Sequence, residues 1–162
     1  MGCFISSCSP LRAIDLLVDR NGYTVEKEQS YGDTPSMRMD VYFPEKGSKL
    51  KENIVMFVYG GSWRNGLLFS GRKEYYRFVG KIFSSQGFIT MIPDYRVFPE
   101  VRFPTFVEDI ARAVKWADTH NNFNCAKRRI ILIGHSAGAH IVSLLALDPT
   151  YFTKFEIERS VL

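Results

Sequence analysis

Two periods govern the hydrophobic positions of this chain, one after the other. Between Tyr23 and Phe43 they alternate: Met37, Met39, Val41 and Phe43 interleave with Arg38, Asp40 and Tyr42, the pattern of a half-buried strand. Tyr23 to Tyr31 reads as a partner strand. The turn-rich Gly32-Asp33-Thr34-Pro35-Ser36 between them predicts a hairpin. Ahead of it, Pro10 to Val18 places Leu11, Ile14, Leu17 and Val18 on one side of a short helix. After the polar loop from Glu45 to Asn53 the period changes. Ile54 to Tyr59, Phe88 to Ile92 and Ile130 to Ile133 are continuous apolar runs, as strands covered on both faces require. Helical spacing falls between them. Tyr75, Phe78, Val79, Ile82 and Phe83 mark a helix over Arg72 to Ser84; Phe106, Val107, Ile110, Val114 and Ala117 mark one over Thr105 to Thr119; Ile141, Leu144 and Leu145 mark one over Ala137 to Leu147. Buried strands alternating with amphipathic helices predict an α/β architecture with a parallel sheet, joined to an antiparallel N-terminal hairpin.

The third buried run ends in Gly134-His135-Ser136-Ala137-Gly138. This fits G-x-S-x-G, in which a serine on a tight strand-to-helix turn projects its hydroxyl above the sheet. Gly134 and Gly138 are needed because a Cβ there would strike the neighbouring strand or helix. The pattern is short, but a strand precedes it and a helix follows, as the motif requires. The competing reading is a serine that caps its helix. A nucleophilic serine also needs donors for the oxyanion formed on attack, each worth about 3–4 kcal/mol of barrier. The N–H of Ala137 is one. The second is expected from the loop after an earlier strand, where the first buried run empties into Gly60-Gly61-Ser62-Trp63. Gly61 or Ser62 is the expected donor, although paired glycines also serve as a plain turn. Trp63 and His135 are candidates for lining a substrate pocket.

Three blocks, YGGSW from Tyr59, PDYRVFPE from Pro93 and GHSAGAH from Gly134, resemble in order and separation the α/β-hydrolases of the esterase/lipase group. That group includes hormone-sensitive-lipase-like esterases, feruloyl and acetyl esterases and isoprenylcysteine methylesterases. The likeness runs from about Tyr31 to Asp148. It implies an α/β-hydrolase fold, ester hydrolysis through an acyl-enzyme on Ser136, a small-molecule ester substrate and no cofactor or metal. It also implies that Asp94 is structural, tying its loop together with Arg96. One residue departs from the group's pattern: Tyr59 stands where a histidine usually braces the diglycine loop, and its hydroxyl could take that role.

The resemblance further implies an acid and a histidine downstream of the serine. His120 closes a helix, His135 is adjacent to Ser136, and His140 is expected to run down its helix toward the sheet. None is a favoured base. Only 26 residues follow Ser136, and Arg159 to Leu162 reads as the opening of another strand. The expectation is therefore a partial α/β-hydrolase domain over 21–162 with the strand at Gly134 left as an open edge. As it stands the chain would be inactive or nearly so, an esterase lacking its acid–base pair; the alternative is a non-catalytic fragment or binding remnant.

Composition changes little in this picture. Of the 162 residues 46% are hydrophobic and 23% charged, ordinary for a globular domain. The net charge of +4 is scattered, with Lys127-Arg128-Arg129 its densest cluster, so nothing points to nucleic acid. Cys3, Cys8 and Cys125 have no metal-ligand or disulfide spacing. The segment 1–20 keeps three readings open. Ile5 to Cys8 resembles a lipobox, which would anchor the protein to a membrane through a lipidated Cys8. Gly2 with Ser6 fits myristoylation, with Cys3 as a second acyl site. A plain terminus would leave the protein cytoplasmic.

Overall fold

The computed structural model describes residues 17–19, 21–64, 72–120 and 128–162. In it the alternating runs form a five-stranded sheet with the order β1-β2-β4-β3-β5. β1 (Tyr23–Ser30) and β2 (Arg38–Pro44) are the expected antiparallel hairpin. β2 continues antiparallel onto β4 (Ile89–Pro93), and β4, β3 (Ile54–Val58) and β5 (Ile130–Gly134) run parallel. Every residue of β3 and β4 is buried. Because successive side chains point to opposite faces, both faces of the sheet's centre are covered. The cover comes from α1 (Arg77–Ser85) on β2 and β4, and from α3 (Ala137–Leu147) on β3 and β5, with α2 (Thr105–Thr119) packed against α3. A short α4 (Thr150–Lys154) closes over α2.

Element positions follow the hydrophobic pattern closely; the bounds of α2 and α3 agree with it residue for residue. Four details differ. β2 is buried on both sides at its centre, because Asp40 and Tyr42 are as enclosed as Met39 and Val41. Tyr42 lies under α1, where a Cβ on Gly80 would come within 2.7 Å of its ring. The small residues Gly80 and Ser84 bring α1 down onto the sheet and centre its buried face on themselves. Ile82 is thereby turned out to solvent at 55% exposure. The helix also starts later than its periodicity suggests, after a 3-10 turn at Lys73–Tyr76. Finally, residues 159–162 do not open a strand. Arg159–Val161 is a 3-10 turn closed by Leu162 N–H on the Arg159 carbonyl at 3.2 Å, and Val161 is drawn into the core.

The open edge is present: β5 is outermost, Ile131 is 40% exposed, and a groove of about 420 Å³ runs beside it between Ile131, Leu132, Val142 and Leu162. Residues 10–16 of the helix expected over 10–18, and the lipidation patterns at Cys3 and Cys8, lie outside the described residues; Leu17 and Val18 are described and not helical, and Leu17 is exposed. No helix among the described residues is long and apolar enough to cross a membrane.

One buried ion pair fixes the loop that leaves β4. Asp109, wholly enclosed on α2, accepts from Arg96 Nη2 at 2.6 Å, Arg96 Nε at 2.9 Å and the Arg96 N–H at 3.1 Å. Asp109 shares the buried helix face with Phe106 and Ile110, so its carboxylate is tolerable only because these three donors replace water. Removing one member of such a pair leaves a buried charge unmatched. Asp109→Ala is expected to lower unfolding free energy by about 3–5 kcal/mol, read from the urea midpoint at unchanged m-value.

Candidate active site

Three backbone segments converge where β5 ends. Ser136 stands between β5 and α3 with φ 53° and ψ −119°. That conformation costs a non-glycine residue about 1–3 kcal/mol and persists only where its surroundings enforce it. The enforcing contacts are steric. A Cβ on Gly138 would lie 2.0 Å from the Val58 carbonyl oxygen, and one on Gly134 would lie 2.5 Å from Ala139 Cα. The first turn of α3 therefore rests directly on the end of β3. His135 N–H donates to the Val58 carbonyl at 3.0 Å and locks that contact. The Ser136 side chain is exposed and makes no capping hydrogen bond to its helix, which removes the capping reading.

The diglycine loop lies against this turn. A Cβ on Gly60 would be 2.8 Å from Ser136 Cβ and 2.9 Å from the His135 carbonyl oxygen. Gly61 has φ 150°, and Ser62 and Trp63 both have φ 55°. Arg64 N–H closes this left-handed turn on the Gly61 carbonyl at 3.2 Å. The loop is pinned on its far side by Phe98 N–H donating to the Trp63 carbonyl at 2.8 Å. Ala137 begins α3, so its N–H has no partner within the helix. Ser136, Gly60, Gly61, Ser62 and Ala137, named from separate stretches of sequence, thus gather at one end of β3 and β5.

Behind the loop sits a polar network. Tyr59 OH donates to Asp94 Oδ1 at 2.7 Å, so the hydroxyl does brace the strand end that carries the glycines. Arg96 does not join Asp94; it is held by Asp109. Instead Asp94 pairs with Lys73 Nζ, and Lys73 reaches Glu28 Oε1 at 2.7 Å. Tyr31 OH donates to the Asp94 carbonyl. Burial pushes the Asp94 carboxyl upward, opposed by hydrogen bonds from Lys73 and Tyr59. Burial alone would lower the Lys73 ammonium, but the hydrogen bonds of Asp94 and Glu28 outweigh it and its pKa rises. The Tyr59 phenol is held well above its ordinary value by burial and by Asp94. The periodicity of α2 exposes a signal for Asp109, a carboxylate on an apolar face. Nothing in the sequence marks Lys73 or Glu28.

A cleft of about 340 Å³ opens beside Gly60 and Gly61, walled by Tyr59, Lys73, Asp94 and the exposed Arg64 and Arg72. Ser136, Ser62, Ala137, Trp63 and His135 do not line it. Trp63 packs near Phe106 and edge-on to His140, with its Nε1 buried and unpartnered among the described residues. His135 faces Tyr76, its Nδ1 3.2 Å from the Tyr76 hydroxyl. His140 is exposed and turned to Trp63 rather than toward the sheet. His120 stacks on Trp116, with ring centroids 4.0 Å apart. Among the described residues no histidine is hydrogen-bonded to Ser136, and no cluster of His, Cys, Asp and Glu could hold a metal.

Comparison with known proteins is consistent in kind. The BD-FAE family model matches residues 39–159. Esterase LipC of Mycobacterium tuberculosis is 30% identical over 133 residues, covering 80% of this chain and 32% of that protein. The isoprenylcysteine alpha-carbonyl methylesterase ICME of Arabidopsis thaliana is 32% identical over 125 residues, 76% of this chain and 28% of that one. Esterase B from Lactobacillus rhamnosis superposes with a TM-score of 0.70 at 22% identity, over 91% of this chain and 48% of its own. The chain therefore spans about a third of these two curated relatives and about half of that solved structure.

The steric reading of the turn has a direct check. Gly138→Ala must displace either α3 or the end of β3, and is expected to cost about 3 kcal/mol, the upper end of ordinary overpacking, measured by chemical denaturation.

Proposed function

We propose, on the premise that this chain belongs to the BD-FAE family and carries the α/β-hydrolase fold, that it supplies the nucleophile and oxyanion loop of a carboxylic ester hydrolase. The observation that carries this reading is the exposed Ser136 at φ 53° with Gly60 packed against its Cβ. A helix-capping or surface serine has no need of a strained backbone, or of a diglycine loop pressed to within van der Waals contact.

In this reading Ser136 Oγ attacks the carbonyl carbon of a small ester. The carbonyl oxygen becomes an oxyanion and accepts hydrogen bonds from the N–H groups of Ala137 and of Gly61 or Ser62. Collapse expels the alcohol and leaves an acyl group on Ser136, which water later removes. Amide donors fixed in place before the reaction need no reorganisation as charge develops, which is why each is worth about 3–4 kcal/mol. The α3 N-terminus favours negative charge at the same point.

The step also needs a base for the serine proton. His120, His135 and His140 are engaged with Trp116, Tyr76 and Trp63 respectively, so none is proposed for it. With the nucleophile and donors but no histidine placed as base among the described residues, turnover by these 162 residues alone is expected to fall roughly 10⁴–10⁶-fold below that of a complete serine hydrolase.

Treatment with a fluorophosphonate, in which serine oxygen replaces fluoride on phosphorus, tests the assignment. Slow formation of a single adduct mapped to Ser136 by mass spectrometry, and none in Ser136→Ala, is the expected result. Adducts elsewhere, or equal labelling of the alanine variant, would remove the nucleophile. Hydrolysis of a short p-nitrophenyl ester at the rate of an intact esterase would remove the claim that a base is lacking.

A further inference from the structure

The ionic network behind the diglycine loop has no part in the chemistry above, yet it is costly to maintain. Lys73 is 2% exposed. Taking an ammonium out of water costs several kcal/mol unless anions replace the hydration shell. Two carboxylates do so here. Asp94 arrives from the end of β4, and Glu28 arrives from the N-terminal hairpin. Glu28 reaches it by an irregularity: the β1–β2 register shifts between Glu26 and Gln29, and Glu28 itself has φ 56°. A β-bulge of this kind re-aims a side chain that regular pairing would send elsewhere. Its N–H is held by the buried Asp40 at 3.1 Å. The bulge, the buried lysine and the loop aspartate thus converge on one point.

That point bears on the oxyanion loop through a single residue. Asp94 Oδ1 accepts Tyr59 OH at 2.7 Å and the Lys73 N–H at 3.3 Å. Tyr59 immediately precedes Gly60. Its ring is stacked between Tyr95 and Tyr76, with centroids 5.1 and 5.8 Å away, and its carbonyl accepts Tyr95 OH at 2.9 Å. With the ring and the hydroxyl both fixed, Tyr59 has no freedom to let Gly60 and Gly61 drift from Ser136. Remove the ammonium, and Asp94, a half-buried carboxylate, loses its cation. Its side chain is then free to turn toward solvent, and the Tyr59 anchor loosens with it.

We infer that Lys73, seated by Asp94 and Glu28, is a positioning residue: it holds the Asp94–Tyr59 link that sets the distance between the diglycine loop and Ser136. The inference rests on the hydrolase reading of that site. It makes the bulge in β1, upstream of the residues that match the family model, part of the machinery that places the oxyanion donors.

The test uses the full chain and the rate of fluorophosphonate addition at Ser136, followed by intact mass. Tyr59→Phe, Lys73→Met, Lys73→Arg, Glu28→Gln and the Tyr59→Phe/Lys73→Met double variant are compared, each confirmed folded at the assay temperature by thermal melting. Tyr59→Phe and Lys73→Met are expected to slow labelling by about 10- to 100-fold, the loss that accompanies an ångström-scale misplacement. Lys73→Arg should recover most of the rate, and Glu28→Gln should lose less than Lys73→Met. The double variant should be no slower than the slower single one, because both changes break the same chain of contacts. A network that only stabilises the fold would lower melting temperatures and leave the labelling rate of the folded protein unchanged. That outcome overturns the inference, as does a double variant whose loss is the product of the two single losses. Absence of any Ser136 adduct in the unaltered protein is a separate result, which overturns the hydrolase reading and this inference with it.

Discussion

The site depends on one steric constraint: the first turn of α3 and the end of β3 meet so closely that neither Gly138 nor Gly60 has room for a side chain. At Gly138 the Val58 carbonyl stands where a side chain would begin, and at Gly60 the Cβ of Ser136 does. Close packing of this kind leaves no soft direction in which either segment can relax. The strained dihedrals of Ser136 follow from it, because a serine between two such contacts has one course open to its backbone, and that course lifts its side chain into solvent. What looks like a costly conformation at one residue is the consequence of two favourable ones beside it.

The rest of the fold can be read as support for that junction. Parallel pairing of β3 with both β4 and β5 brings three strand ends to the same side of the sheet, so the loops after them meet there. Each loop is then secured by a polar contact suited to its burial. Arg96 and Asp109 hold the segment after β4 to α2. Tyr59, Asp94 and Lys73 hold the end of β3 to the same segment and to the 3-10 turn ahead of α1. Phe98 N–H fastens the turn at Trp63. These groups are enclosed enough that an unpaired partner would be expensive, which makes the geometry cooperative: the loops are in place together or not at all.

Departures from the α/β-hydrolase resemblance fit the same picture. Tyr59 replaces a histidine, yet its hydroxyl finds a carboxylate, and its ring gains two aromatic neighbours that an imidazole would meet with less area. Among the described residues β5 is the outermost strand, and an apolar groove runs along its outer side.

Most of the architecture was legible in the sequence, because burial imposes period. A strand covered on both faces must be apolar throughout, and a helix on a sheet must be apolar every third or fourth residue. Ile54–Val58, Ile130–Gly134, Thr105–Thr119 and Ala137–Leu147 were therefore visible without coordinates. The elbow was visible too, since its glycines sit at fixed spacing around the serine: Gly134 is dictated by a clash with Ala139 nearby, Gly138 by one with Val58 on β3. Where small residues decided the packing, the pattern misled: Gly80 and Ser84 carry no hydrophobic signal, yet they set which side of α1 faces the sheet. Only the tertiary structure decided the pairing of charges. Asp94 and Arg96 are two residues apart and looked like partners, but Asp94 meets Lys73 and Tyr59 while Arg96 meets Asp109 on α2. Lys73 and Glu28 are joined across 45 residues by a bulge that no periodicity records. Hydrophobic order is written along the chain because it depends on each residue's own solvation. Ion-pair choice is a property of two distant positions at once, and it exists only when the fold has brought them together.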